Sequence, residues 1–231
     1  MSVQQPSVPA GSPLRRLRWL LWGVSIAVGI AAGLLFELDH RAPTATPTVS
    51  AAAMSASTAA ATWRAGERPA PDFSLTDQSG KPVSLARFRG RPVLLTFIDP
   101  LCRNLCPREA KILTSVETRL PASERPAIVA VSVDQWGNAR HILLQDEAKW
   151  KLPADWHWAV GRPADLAKVW KDYAIGVSDA PKTVVGVTVH QISHTEASYL
   201  IDAKGDQRAL WLYPFGAADV AHVVRSLAGA S

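Results

Sequence analysis

Hydrophobic and polar positions divide the chain into three regimes. Trp19–Phe36 carries no charged side chain. Residues 42–62 are Ala, Thr, Ser and Pro apart from Val49 and Met54, with no apolar period. From Trp63 onward, short apolar runs alternate with polar turns. In that last regime, Phe73–Thr76 and Pro82–Leu85 predict a small hairpin about the turn Asp77–Gly80. Leu85–Phe88 reads as one helical turn. Val93–Ile98 is nearly all apolar, the pattern of a central strand covered on both faces. Arg108 to about Leu120 predicts a helix, and Ile128–Val133 a second central strand that ends at Asp134. Asn138–Trp150 predicts a helix capped by Asn138, and Trp156–Val160 a short strand. In Ala164–Tyr173, the residues Leu166, Val169, Trp170 and Tyr173 recur at helical spacing. Val184–Val189 reads as a strand or an extended loop. Ser198–Ile201 and Ala209–Tyr213 predict two strands that pair about Lys204-Gly205-Asp206. Ala217–Leu227 predicts the last helix. Strand and helix alternate in the middle with hairpins at both ends, which predicts an α/β domain with a mixed sheet flanked by helices.

The first regime changes the setting of this domain. An uncharged run of about 20 residues is long enough to span a bilayer. Arg15, Arg16 and Arg18 precede it, and Glu37 and Asp39 follow, which predicts an inside N-terminus and an exported remainder. The chain then divides into a cytoplasmic N-terminus (1–16), a single transmembrane anchor (17–38), a flexible linker (39–64) and a folded domain (65–231). A cleaved signal peptide is the alternative. The linker composition cannot bury a core. Net charge is +5. Residues 1–40 hold three Arg, one Glu and one Asp, so the remainder keeps +4 with no basic run. That balance argues against a nucleic-acid partner.

The two cysteines of the chain both lie in Cys102-Arg103-Asn104-Leu105-Cys106-Pro107, directly after the apolar run Val93–Ile98. Pro107 suits the first turn of a helix. Cys106 is therefore expected near an N-cap, with Cys102 in the loop before it. Free N–H groups and the helix dipole favour a thiolate there, and Arg103 and Arg108 add positive charge. A disulfide across so short a loop would staple little chain, about 2 kcal/mol in the chain-entropy model. The placement points to a redox pair or a soft-metal site instead. Ligands of such sheets sit outside the carboxyl ends of the strands, and Cys102 and Asp134 both fall at such ends.

Six histidines are present. His40, His141, His157 and His222 read as surface or packed residues. His190 and His194 lie in a polar segment that leads into the strand Ser198–Ile201, where a loop would bring an imidazole toward the thiols. Two thiolates and one imidazole make a soft site that suits copper(I), and also zinc. Spacing alone does not separate the two.

The stretches Pro71–Leu75, Gly80–Leu85 and Phe88–Phe97 resemble the opening of thioredoxin-like extracytoplasmic proteins. The run Phe97–Pro107 with its CxxxCP motif resembles the Sco/SenC family. Val131–Asp134 and His194–Asp202 are similar to that family's second-strand and metal-histidine segments. The resemblance covers about residues 68–228. It implies a thioredoxin-like (peroxiredoxin-like) fold and a copper ion held by Cys102, Cys106 and His194. It implies a membrane-anchored copper chaperone at the bacterial inner membrane, facing the periplasm. Its partners would be the copper-bearing subunit of cytochrome c oxidase and other periplasmic copper carriers. It would deliver copper to the binuclear centre or keep that centre's thiols reduced. A thiol-disulfide oxidoreductase or redox sensor using Cys102 and Cys106 is the alternative. A peroxidase is a weaker one, since Thr96 and Pro100 only partly match the loop it needs. The chain departs from the family pattern in three places. Arg103 and Asn104 replace a Pro and an Asp, Ser193 replaces a common Asp, and Gln135-Trp136-Gly137 follows Asp134.

Overall fold

The structure is a computed structural model, and it describes residues 59–228. The expected anchor, residues 17–38, lies outside them. Among the described residues no helix is long and apolar enough to cross a membrane.

A six-stranded mixed sheet organises the domain. Its strands are β1 (Ala61–Thr62), β4 (Val93–Ile98), β5 (Ala127–Ser132), β6 (Trp156–Ala159), β9 (Ala197–Ile201) and β10 (Gln207–Leu212), in the order β1-β10-β9-β4-β5-β6. The pairs β4/β5 and β5/β6 are parallel. The pairs β4/β9, β9/β10 and β1/β10 are antiparallel. Two hairpins stand apart from this sheet: β2 (Leu75–Thr76) with β3 (Pro82–Val83), and β7 (Val177–Val184) with β8 (Val187–His194). The helices are α1 (Cys106–Glu117), α2 (Arg140–Trp150), α3 (Pro163–Asp172) and α4 (Ala217–Ala228).

Both faces of the sheet are covered, which is why β4 and β5 are apolar at nearly every position. Side chains alternate along a strand. On β4, Leu94 and Ile98 face one core with Leu113, Val116, Leu143 and Val224 from α1, α2 and α4. Val93, Leu95 and Phe97 face the other, with Leu166, Val169 and Tyr173 and the small hairpin's Leu75 and Val83. Phe97 sits among the Tyr173 and Tyr199 rings at centroid distances of 5.8 and 6.3 Å.

The structure departs from the sequence reading in three places. Residues 61–62, within the stretch read as linker, pair with Leu210 and Ala209 as β1, so ordered structure starts earlier than residue 65. Helix α2 starts at Arg140 with Ala139 as its cap; Asn138 does not cap it, and its amide is buried without a partner. Helix α1 agrees with the expectation: Leu105 is its N-cap and Cys106 begins its first turn. The largest difference is residues 177–194. They form a complete exposed hairpin, whereas the pattern gave only a strand or loop over 184–189. Its turn needs positive φ at both central residues. Gly186 (φ 77) meets this freely, but Val185 (φ 50) does not, so no turn signal was visible.

Replacing Phe97 with Ala is expected to lower unfolding free energy by about 3–5 kcal/mol. Denaturant unfolding measures this, and a cost under about 1 kcal/mol would mean the two tyrosines do not depend on that ring.

Candidate thiol centre

The first N–H groups of a helix lack intrahelical partners. The α1 N-cap residue, Leu105, offers no side-chain cap. The Cys102 sulfur serves instead. The backbone N–H of Cys106 donates to Cys102 Sγ at 3.4 Å. The Cys106 thiol and the N–H groups of Asn104 and Leu105 also favour a charged sulfur at Cys102. Successive N–H groups curled about one atom make an anion-binding concavity. The hydrogen bond from the Cys106 thiol is the largest cause, and together these contacts pull the Cys102 pKa down to about 5 despite partial burial. The thiolate is therefore the resting form at neutral pH. When protonated, Cys102 donates to Asn104 Oδ1 at 3.0 Å. Cys106 is the opposite case. It is 1% exposed, and its bond to Cys102 and its burial push its pKa well above the ordinary thiol value. Both cysteines are free.

Arg103, expected from sequence to place a cation on the thiols, is turned elsewhere. Its Nη1 donates to the carbonyls of Pro100 (2.8 Å) and Cys102 (3.0 Å) and pairs with the buried carboxylate of Asp146 at 3.4 Å. Hydrogen bonds, with Cys106 first, lead the depression at Cys102.

Around the thiolate stand carboxyl groups that sequence reasoning did not single out. Asp99 follows β4 and bonds the Asp134 carboxylate; burial and then its negative neighbours, Asp134 and Cys102, raise its pKa to about 7. Glu109 lies on α1 three residues past Cys106. Its Oε1 accepts from Thr96 (2.6 Å) and Ser198 (2.9 Å), while Oε2 is buried without a partner. Burial leads in raising its pKa to about 7, with Glu196 and the Cys102 charge contributing. Glu196 is raised by burial and by Cys102. The one visible hint was position. Asp99 and Asp134 follow the carboxyl ends of neighbouring parallel strands, and Glu109 follows Cys106 by a helical turn.

His194 ends β8. Burial lowers its pKa, and the Cys102 charge opposes that shift, so thiolate and imidazole sense one another. Its Nδ1 pairs with the Thr195 carbonyl at 3.1 Å. An Nδ1–H given to that carbonyl leaves Nε2 with its lone pair, the form that ligates metals. His190 is placed differently, against Trp136 and Asp179. Among the described residues no three of His, Cys, Asp and Glu stand together as a ready metal site. The fold thus brings Cys102 and Cys106 into contact and His194 into their electrostatic neighbourhood.

The arrangement defines a class: a thioredoxin-like domain with a split-pKa thiol pair at a helix start and an imidazole within its electrostatic reach. The SCO1/SenC family model matches residues 62–229, and the chain belongs to that family. The mitochondrial SCO2 homolog of Mus musculus is 27% identical over 139 residues, which cover 58% of this chain and 52% of that protein. The chain thus spans about half the length of this curated relative. The structure of copper-bound ScoI from Bradyrhizobium japonicum matches with a TM-score of 0.57 and 21% identity over 68% of this chain and 98% of that one. BsSco, a member of the Sco family of cytochrome c oxidase assembly proteins in which a disulfide switch was identified, matches with a TM-score of 0.55 and 20% identity over 71% and 95%.

Two measurements test this centre. Alkylation of the reduced protein is expected at Cys102 with an inflection near pH 5, and not at Cys106 at neutral pH. Equal reactivity with an inflection near pH 9 would refute the hydrogen-bond account. Glu109 has a folded pKa above its ordinary 4.5. Its contribution to stability is therefore complete below pH 4.5 and lost as pH rises through about 7. Glu109→Gln is expected to abolish that loss, so wild type should weaken relative to the variant across this window. Parallel stability curves would count against it.

Proposed function

We propose that this protein is a membrane-anchored copper carrier that serves assembly of cytochrome c oxidase, with Cys102, Cys106 and His194 as the copper(I) ligands. The observation that carries the reading is the return of a neutral imidazole, distant in sequence, to the neighbourhood of a thiolate with a second thiol in contact. The electrostatics fit a cation. The Cys102 charge raises the proton affinity of Asp99, Glu109 and Glu196, so the site holds excess negative potential. Thiolate sulfur and imidazole nitrogen are the donor types that select copper(I). A cation displaces the Cys106 proton, whose high pKa otherwise keeps it in place. The three donors are not yet grouped, so loading requires His194 and the exposed β7–β8 hairpin to close on the sulfurs. The copper-bearing ScoI supports copper as cargo, and the family of BsSco supports cytochrome c oxidase as destination. The basic-flanked apolar run before the domain supports a membrane anchor with the domain outside the cytoplasm.

The depressed pKa of Cys102 favours a second reading, thiol-disulfide exchange. The Cys102 thiolate attacks a partner disulfide, forms a mixed disulfide and releases one partner thiolate, which takes up a proton. Cys106 loses its proton and attacks Cys102 Sγ. The second partner thiolate leaves, and Cys102–Cys106 becomes the oxidised pair. Two electrons pass to the partner.

Copper(I) titration of the reduced full chain in detergent separates these readings. One equivalent is expected to bind, with sulfur and nitrogen donors in the X-ray absorption spectrum, and Cys102→Ser, Cys106→Ser and His194→Ala should each abolish tight binding. Wild-type copper binding by His194→Ala would overturn the three-ligand set. Fast disulfide reduction that survives in His194→Ala, without tight copper binding in wild type, would favour the redox reading.

A further inference from the structure

The sequence marks two features that the thiol centre leaves unused: Trp136, within the segment Gln135-Trp136-Gly137, and His190. The structure joins them. The Trp136 and His190 rings stack at 4.1 Å between centroids and 22° between planes. His190 Nδ1 lies 2.7 Å from Asp179 Oδ2 on the facing strand β7. Trp136 is fixed at its main chain, because its backbone N–H donates to Asp134 Oδ1 at 2.7 Å. The next residue, Gly137, sits against the cysteine loop. A Cβ there would lie 3.0 Å from Leu101 Cγ and 3.2 Å from Pro100 Cβ.

The hairpin needs such a contact. Its two strands pair with each other and with no strand of the main sheet. Side chains therefore hold it in place. On β8, His190, Ile192 and His194 are half-buried, while Val189, Gln191 and Ser193 between them are exposed. This is the strand alternation, and it puts all three on one inward face. Ile192 packs on the second core. His190 rests on Trp136, and His194 ends the row near Cys102. Beyond His190 the hairpin is bare, with Val185 98% exposed. The Trp136 stack is thus the outermost attachment of the element that carries the third ligand.

We propose that Trp136 and His190 are positioning residues. Their stack holds the β7–β8 hairpin down on the cysteine loop and sets the fraction of molecules in which His194 is ready to join Cys102 and Cys106 on copper(I). This rests on the three-ligand reading above. A binding-competent state that is only partly populated lowers apparent affinity by that fraction. Trp136 is 50% exposed, so its loss should leave the fold intact.

The test uses the full chain in detergent, reduced, with two readouts. One is hydrogen exchange of the hairpin amides without metal; the other is copper(I) affinity by competition with a chromogenic chelator. Trp136→Ala and His190→Ala are expected to speed exchange over residues 187–194. They should also weaken copper(I) binding by up to about tenfold, the scale of one aromatic pair. Trp136→Phe keeps a ring and should stay within about twofold of wild type. His194→Ala should lose far more. Unchanged hairpin exchange in Trp136→Ala would overturn the proposal. So would faster exchange with unchanged copper affinity, and in both cases a strong loss in His194→Ala leaves the ligand set standing. Wild-type copper affinity in His194→Ala would remove the ligand set, and the positioning role with it.

Discussion

Everything at this centre follows from one vacancy, the uncapped start of α1. A helix whose cap residue is Leu has donors without acceptors. Here the sulfur of Cys102 accepts, and the charge it carries organises its surroundings. Cys106 keeps its proton because it donates to that sulfur and is buried. Asp99, Glu109 and Glu196 hold theirs more tightly, first because they are buried and further because the thiolate is near. The same charge acts on half-buried His194, whose pKa burial lowers and the thiolate partly restores.

The doubly covered sheet makes that vacancy possible. With apolar residues on both faces, β4 is held rigidly and delivers Asp99 and the cysteine loop at its carboxyl end. The same alternation turns Thr96 toward the α1 side, between Leu94 and Ile98. There it meets Glu109 and Ser198 inside that core layer. The hydroxyls Thr96 and Ser198 donate to one carboxyl oxygen and leave the other without a partner. Such a buried group is costly unless it stays protonated, which fits its raised pKa.

Much of the fold was legible in the chain. Val93–Ile98 and 128–132 read as central strands, because such nearly apolar runs suit nothing half-exposed. Leu166, Val169 and Tyr173 announced α3 by spacing. The cysteine loop announced itself by using both thiols of the chain at a helix start. The β7–β8 hairpin was not legible. It is exposed, its apolar residues do not alternate cleanly, and Val185 occupies a position where glycine or asparagine would have marked the turn. Asn138 misled in the other direction, since a good cap residue here lies one position outside the cap and is buried.

By itself the sequence determined the thiol pair, its place after a strand and before a helix, and the family to which the chain belongs. The pair and its place are local facts, set by spacing and by the few residue types that suit a helix start; the family rests on resemblance along most of the domain. Only the tertiary structure decided the rest. It gave the two sulfurs opposite proton affinities, turned Arg103 away to Asp146, gathered three carboxyl groups about Cys102 and laid His190 on Trp136. Those outcomes depend on burial and on contacts between residues far apart in the chain. No local pattern encodes how much water a group loses, or which distant charge it meets, when the chain folds.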